Sequence, residues 1–106
     1  MAALCKMFPR NTINIEYVKQ VVRSAASVGA NYIEANECLG KKDFLMKLKV
    51  CRKEAKESVY WLRLLRELNL TELGTEPDAL IAEATELKKI FSSLVLKAGQ
   101  QESSAR

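Results

Sequence analysis

A chain of 106 residues, 48% apolar and 28% charged, has the length and composition of one globular domain. It contains no histidine, which excludes Ser–His and Cys–His nucleophile pairs and Glu-x-x-His metal sites; no apolar run nears the ~20 residues of a membrane span, and no leader-like pattern opens the sequence. The formal net charge of +4 is unevenly placed: residues 41–69 hold nine basic against four acidic side chains, residues 1–40 four against three, and residues 71–106 four against six.

Few Gly and Pro, with many Ala, Leu, Lys and Glu, favour helix throughout. Residues 1–8 can form a little over two helical turns before Pro9, which disfavours helix at Phe8 and lacks a backbone donor. So short a helix needs something to pack against. After a connection at Arg10, Asn11 and Thr12, a second helix is expected from Asn14, a good N-cap type, to about Cys38, with Gly40 as its stop signal. Ile15, Val18, Val22, Ala25, Gly29, Tyr32 and Ile33 recur at three- and four-residue steps and predict its apolar face. The run from Ser24 to Ala30 is nearly all small residues, and Gly29 is expected to allow close approach by a neighbouring backbone.

Residues 42–68, KDFLMKLKVCRKEAKESVYWLRLLREL, form the longest unbroken helical pattern. At about 100° per residue they separate into three faces. Phe44, Leu48, Cys51, Ala55, Val59, Leu62 and Leu65 predict a core stripe. Opposite lie Lys42, Lys49, Lys53, Lys56, Tyr60 and Arg63, and on one flank Met46, Val50, Trp61, Leu64 and Leu68. Two apolar faces call for two sets of packing partners, from the diagonal helix or from another subunit. Residues 70–76 read as a connection. Thr75 is expected to cap a fourth helix over residues 76–98 that buries Leu80, Ile81, Ala84, Leu87, Phe91, Leu94 and Val95. Gly99 is expected to end it, leaving residues 100–106 as a disordered polar tail beyond a single domain of residues 1–99.

The catalytic inventory is thin. Glu34 and Glu37, and Glu54 and Glu57, are spaced for carboxylate pairs, but each pair lies near lysines or a helix end, where solvated salt bridges are the commoner explanation. Asn31, Glu34 and Asn36 ride close to the apolar face and are expected to tie neighbouring helices. Three irregularly spaced cysteines fit neither a disulfide framework nor a zinc knuckle and point to a reducing cytoplasm. No glycine-rich phosphate loop is present, and no cofactor, metal or small-molecule substrate is expected. The functional lead is the basic stripe: Lys42, Lys49, Lys53, Lys56 and Arg63 can track a phosphate backbone, with Tyr60 available for stacking, although Glu54 and Glu57 are expected to dilute the field.

RSAASVGANYIEAN at residues 23–36 and KKDFLMKLKVCRKEAKESVYWLRLL at residues 41–65 resemble a known family. It comprises bacterial four-helix-bundle proteins named after open reading frames in the intervening sequences of 23S ribosomal RNA genes. The match is close over residues 5–70. Ser27, Gly29, Ala30, Asn31, Glu34 and Asn36 match its small-residue signature. Lys42, Asp43, Phe44, Lys53, Glu54, Tyr60, Trp61, Leu64 and Leu65 match the second motif. The resemblance implies an up-down-up-down bundle that can assemble as a ring, with homopentamers the known example. The chain is also similar to the accessory variability protein of diversity-generating retroelements, a basic pentamer that works with a reverse transcriptase and its template RNA. The family's first helix is usually as long as the others, whereas eight residues precede Pro9 here; either Met1 is internal to a longer protein or most of one helix has been lost. A lost helix would leave apolar surface wet, at about 25 cal/mol per Å², to be covered by self-association.

These readings together predict an all-α, up-down-up-down four-helix bundle with a shortened first helix: three long helices plus an N-terminal stub. The expected function is a non-enzymatic, cytoplasmic, homo-oligomeric scaffold that binds structured RNA, or a nucleic-acid-processing protein, through Lys42, Lys49, Lys53, Lys56, Tyr60 and Arg63. Gly29, Asn31, Glu34, Trp61, Leu64 and Leu68 are expected to pack between helices or subunits. The alternative is a protein-interaction adaptor with no nucleic-acid role.

Overall fold

The computed structural model describes residues 2–104, and all the regular structure among them is helical. The elements are α1 (Ala2–Met7), α2 (Thr12–Glu37), α3 (Lys41–Leu68), a single turn α4 (Leu70–Leu73) and α5 (Asp78–Ser104). The result is an all-helical bundle, 54 × 19 × 17 Å, in which α3 is the middle helix and packs along α2 on one side and α5 on the other.

The centrality of α3 follows from its pattern. Leu48, Cys51, Ala55, Val59, Leu62 and Leu65 are buried as expected, while Phe44 is half-buried and Leu45 takes the fully buried place beside it. Buried Glu54 and Ser58 widen the stripe toward α2. One cluster joins Val28, Leu45, Leu48, Cys51, Phe91 and Val95; a second, at the other end, joins Leu4, Phe8, Val21, Leu62, Leu65 and Ile81. Leu4 and Phe8 anchor the six-residue α1, which could not persist alone in water.

The α2 face differs from the one its apolar residues suggest. The fully buried residues are Asn14, Val21, Ser24, Val28 and Ala35, while Tyr32 and Ile33 are exposed. Two polar residues take core positions because α3 satisfies them. The Ser24 and Ser58 hydroxyls lie 2.7 Å apart, and the Asn14 and Asn69 side chains exchange two amide bonds of 2.9 Å each. Small groups at Ser24, Ala35, Cys51, Ala55 and Ser58 let the two helices lie close, and the Cys51 thiol reaches the Val28 carbonyl.

Several boundaries are corrected. Asn11, not Asn14, caps α2: its Oδ1 accepts from the Asn14 backbone N–H at 2.8 Å, which frees the Asn14 side chain for the core. Thr75 lies in a turn ahead of α5 rather than at its cap, buried Pro77 supplies the first α5 carbonyl to Ile81, and Leu87 stays 39% exposed. Gly99 does not end α5, which continues through the polar stretch to Ser104. A glycine stops a helix by adopting positive φ, and among the described residues Gly74 alone does so, at +53°.

Candidate nucleic-acid interface

The outer surface of α3 carries the basic residues in one register. Lys42, Lys49, Lys53, Lys56, Tyr60 and Arg63 are all exposed, and Met46, assigned to the flank from sequence, falls in the same row. The steps from 42 through 46, 49, 53, 56 and 60 to 63 alternate between four and three residues, so the side chains stay on one ridge of a helix in a bundle. At 1.5 Å per residue the ridge is about 32 Å long.

Its electrostatics come from where the carboxylates go. Glu54 and Glu57 turn toward α2, where Arg23 bridges both, at 3.5 Å and 3.1 Å. The dilution expected from these two acids is therefore taken up by a guanidinium on the neighbouring helix. Glu34 accepts from Lys47, and Asp78 from Arg66. Among the described residues no carboxylate pairs with Lys42, Lys49, Lys53, Lys56 or Arg63. Cations on adjacent turns without internal partners raise the local potential and leave their charge to external anions.

Tyr60 presents its ring on the ridge, 59% exposed, in an edge-on contact with Trp61 at 5.0 Å between ring centroids. Trp61 is half-buried and stacks on Tyr17 of α2 at 5.5 Å. That contact answers what the Trp61 flank packs against: it is α2, at the end where α1 is anchored. Leu64 is half-buried beside it, but Met46 and Leu68 stay 54% and 50% exposed, so the flank is only partly covered within the chain.

The other expected packing residues divide. Glu34 ties α2 to α3 through Lys47, whose pKa the hydrogen bond and charge of Glu34 raise above the usual lysine range. Asn31 makes no such tie: its amide donates to the Ser27 carbonyl and hydroxyl one turn back on its own helix. Gly29 is exposed, and nothing in the chain lies within 4 Å of where its Cβ would be, so the close approach expected there is not made inside this bundle. Cys38 and Cys51 are free thiols, and burial pushes the Cys51 thiol up. No group of three or more Cys, Asp or Glu side chains among the described residues is placed to hold a metal ion.

Sequence reasoning missed Arg23 as the residue that pairs with Glu54 and Glu57 of α3, and the Asn14–Asn69 pair. The heptad spacing of Asn14, Val21, Val28 and Ala35 carries a signal for the second: it marks the seam of α2 that meets α3.

Fold and surface together define a small helical bundle built on one basic central helix. The chain belongs to the 23S rRNA-intervening sequence protein family, whose model matches residues 1–93. A crystal structure of a protein of unknown function from the S23 ribosomal protein family of Bacteroides thetaiotaomicron VPI-5482 superposes with a TM-score of 0.68 at 34% identity, covering 74% of this chain and 72% of that one. None of the curated proteins matches. No described helix is long and apolar enough to cross a membrane.

Proposed function

We propose that this protein is a non-catalytic, cytoplasmic scaffold that binds structured RNA through the α3 ridge and works as a homo-oligomer. The observation that carries the reading is the ridge: Lys42, Lys49, Lys53, Lys56 and Arg63 share one register with Tyr60, while Glu54 and Glu57 in the middle of the same helix are held by Arg23. The family's association with 23S rRNA supports it. One ridge makes only a handful of phosphate contacts, so copies assembled side by side gain affinity through effective concentration. The partly covered flank at Leu64 and Leu68 and the open α2 surface at Gly29 and Ile33 supply apolar area for contacts between copies.

The test is fluorescence anisotropy with a labelled structured RNA. Reversing Lys49, Lys53 and Lys56 to Glu should abolish measurable binding without changing the helical circular dichroism; unchanged affinity would sink the reading. The second reading, an adaptor that works through apolar surface, is favoured by the exposure of Ile33, Leu39, Ile90 and Leu96. Capture of a protein partner that survives both nuclease and those charge reversals would support it.

A further inference from the structure

The N-terminal half of α3 and the C-terminal half of α5 pack through Leu45, Leu48, Phe91 and Val95, and the outer edge of that seam is open to solvent. Along this edge runs a shallow, solvent-open cleft of about 710 Å³. Leu45 and Val95 form its floor, both buried at the margin of the core, and exposed Leu96 stands as an apolar wall. Lys49 and Arg52 line the α3 side, and Ser92 and Gln100 line the α5 side. No carboxylate lines the cleft, and neither cation has an ion-pair partner among the described residues. Gly99 lines the same cleft, and a Cβ added there would meet open space.

An apolar floor beneath two unpaired cations is complementary to a group that is flat and apolar at one end and anionic at the other. Lys49 also belongs to the α3 ridge, so whatever enters the cleft is continuous with what the ridge holds. We infer that the cleft receives one unpaired nucleotide of the bound RNA, an inference that rests on the ridge being an RNA-binding surface. The base packs against Leu45, Val95 and Leu96, as flipped bases pack between apolar side chains. Ser92 and Gln100 offer hydrogen bonds to its edge. The flanking phosphates meet Lys49 and the planar donor fork of Arg52, which suits phosphate oxygens. The substrate class is thereby narrowed to RNA carrying a bulge or loop nucleotide. Such a base is already out of the stack, whereas a continuous duplex would first have to unpair one.

The experiment uses two hairpin RNAs with the same stem, one carrying a single bulged 2-aminopurine and the other the same base paired. Wild-type protein should bind the bulged hairpin about tenfold more tightly, the order expected for burying one base against aliphatic side chains, with a change in 2-aminopurine fluorescence on binding. Gly99→Leu fills open space with a better helix former, and Leu96→Ser removes the exposed wall without changing charge. Both should erase the preference while keeping the affinity for the paired hairpin. Equal wild-type affinity for the two hairpins overturns the cleft and leaves the ridge standing, whereas failure to bind either overturns both. If Gly99→Leu abolishes self-association in sedimentation velocity while the bulge preference persists, the cleft is a contact between copies and the inference is overturned.

Discussion

The Asn14–Asn69 pair should be the most energetically coupled contact in the bundle. Each amide donates to the other's oxygen at 2.9 Å; Asn14 also donates to the Pro9 carbonyl at 2.9 Å, and Asn69 to the Leu65 carbonyl at 2.8 Å. Both residues are nearly inaccessible, at 2% and 6%. Asn14→Ala removes three of these bonds and leaves the Asn69 oxygen and the Pro9 carbonyl each short of a donor. A net hydrogen bond contributes about 1 kcal/mol, and an unsatisfied buried polar group costs about 1–3 kcal/mol, so the single variant should lose about 2–4 kcal/mol. That is a large share of the ~5–15 kcal/mol of a whole domain. At roughly 4–8 °C per kcal/mol for a domain near 100 residues, the thermal midpoint should fall by about 8–32 °C. Urea unfolding of wild type, Asn14→Ala, Asn69→Ala and the double variant closes a thermodynamic cycle. The double variant should cost at least 1 kcal/mol less than the sum of the singles, because the second truncation removes a group the first left unpaired. Additive losses, or a single loss under about 0.5 kcal/mol, would refute the role given to this pair.

Three further outcomes follow from the same geometry. Thiol labelling resolved by peptide mass should modify Cys38 readily in the native state and Cys51 only on unfolding, because Cys51 is fully buried and burial raises its thiol pKa. The Lys47–Glu34 bridge should stabilise the fold below the ordinary lysine pKa of ~10.4 and be lost as pH rises through the raised value in the folded state. The thermal advantage of wild type over Lys47→Met should therefore vanish in strongly alkaline buffer, and an advantage that persists there would show the bridge is not its source. Leu48→Ala and Leu65→Ala, each at a site with no exposure, should cost about 2–5 kcal/mol in urea unfolding, whereas Leu96→Ala should cost almost nothing.

The sequence made α3 legible because its chemistry and its period agree. Leucine and alanine mark the core stripe, lysine marks the ridge, and the structure keeps both within one residue of the expected bounds. α2 was harder, because its buried seam mixes Asn14 and Ser24 with valine, and an apolar count steers away from polar residues whose partners are 55 and 34 positions distant. On its expected apolar face Tyr32 meets the ring of Phe91 on α5, at 5.7 Å between centroids, while Gly29 faces open space. Caps failed for a related reason. Asn11 and Asn14 are equally good N-cap types, and the tertiary demand for a buried amide at Asn14 decides between them. The ridge could be named from spacing alone, but its freedom from carboxylates could not. Glu54 and Glu57 interrupt the basic run in sequence, and only the placement of Arg23 across the helix pair takes them off the ridge.

The most direct test of the central claim is the salt dependence of RNA binding. If the ridge cations make about four to five phosphate contacts per chain, the logarithm of affinity should fall against the logarithm of salt with a slope of about −3 to −4. Replacing Lys49, Lys53 and Lys56 with Gln should flatten it by about 2. A wild-type slope near zero, or a slope that those substitutions leave unchanged, would contradict the account.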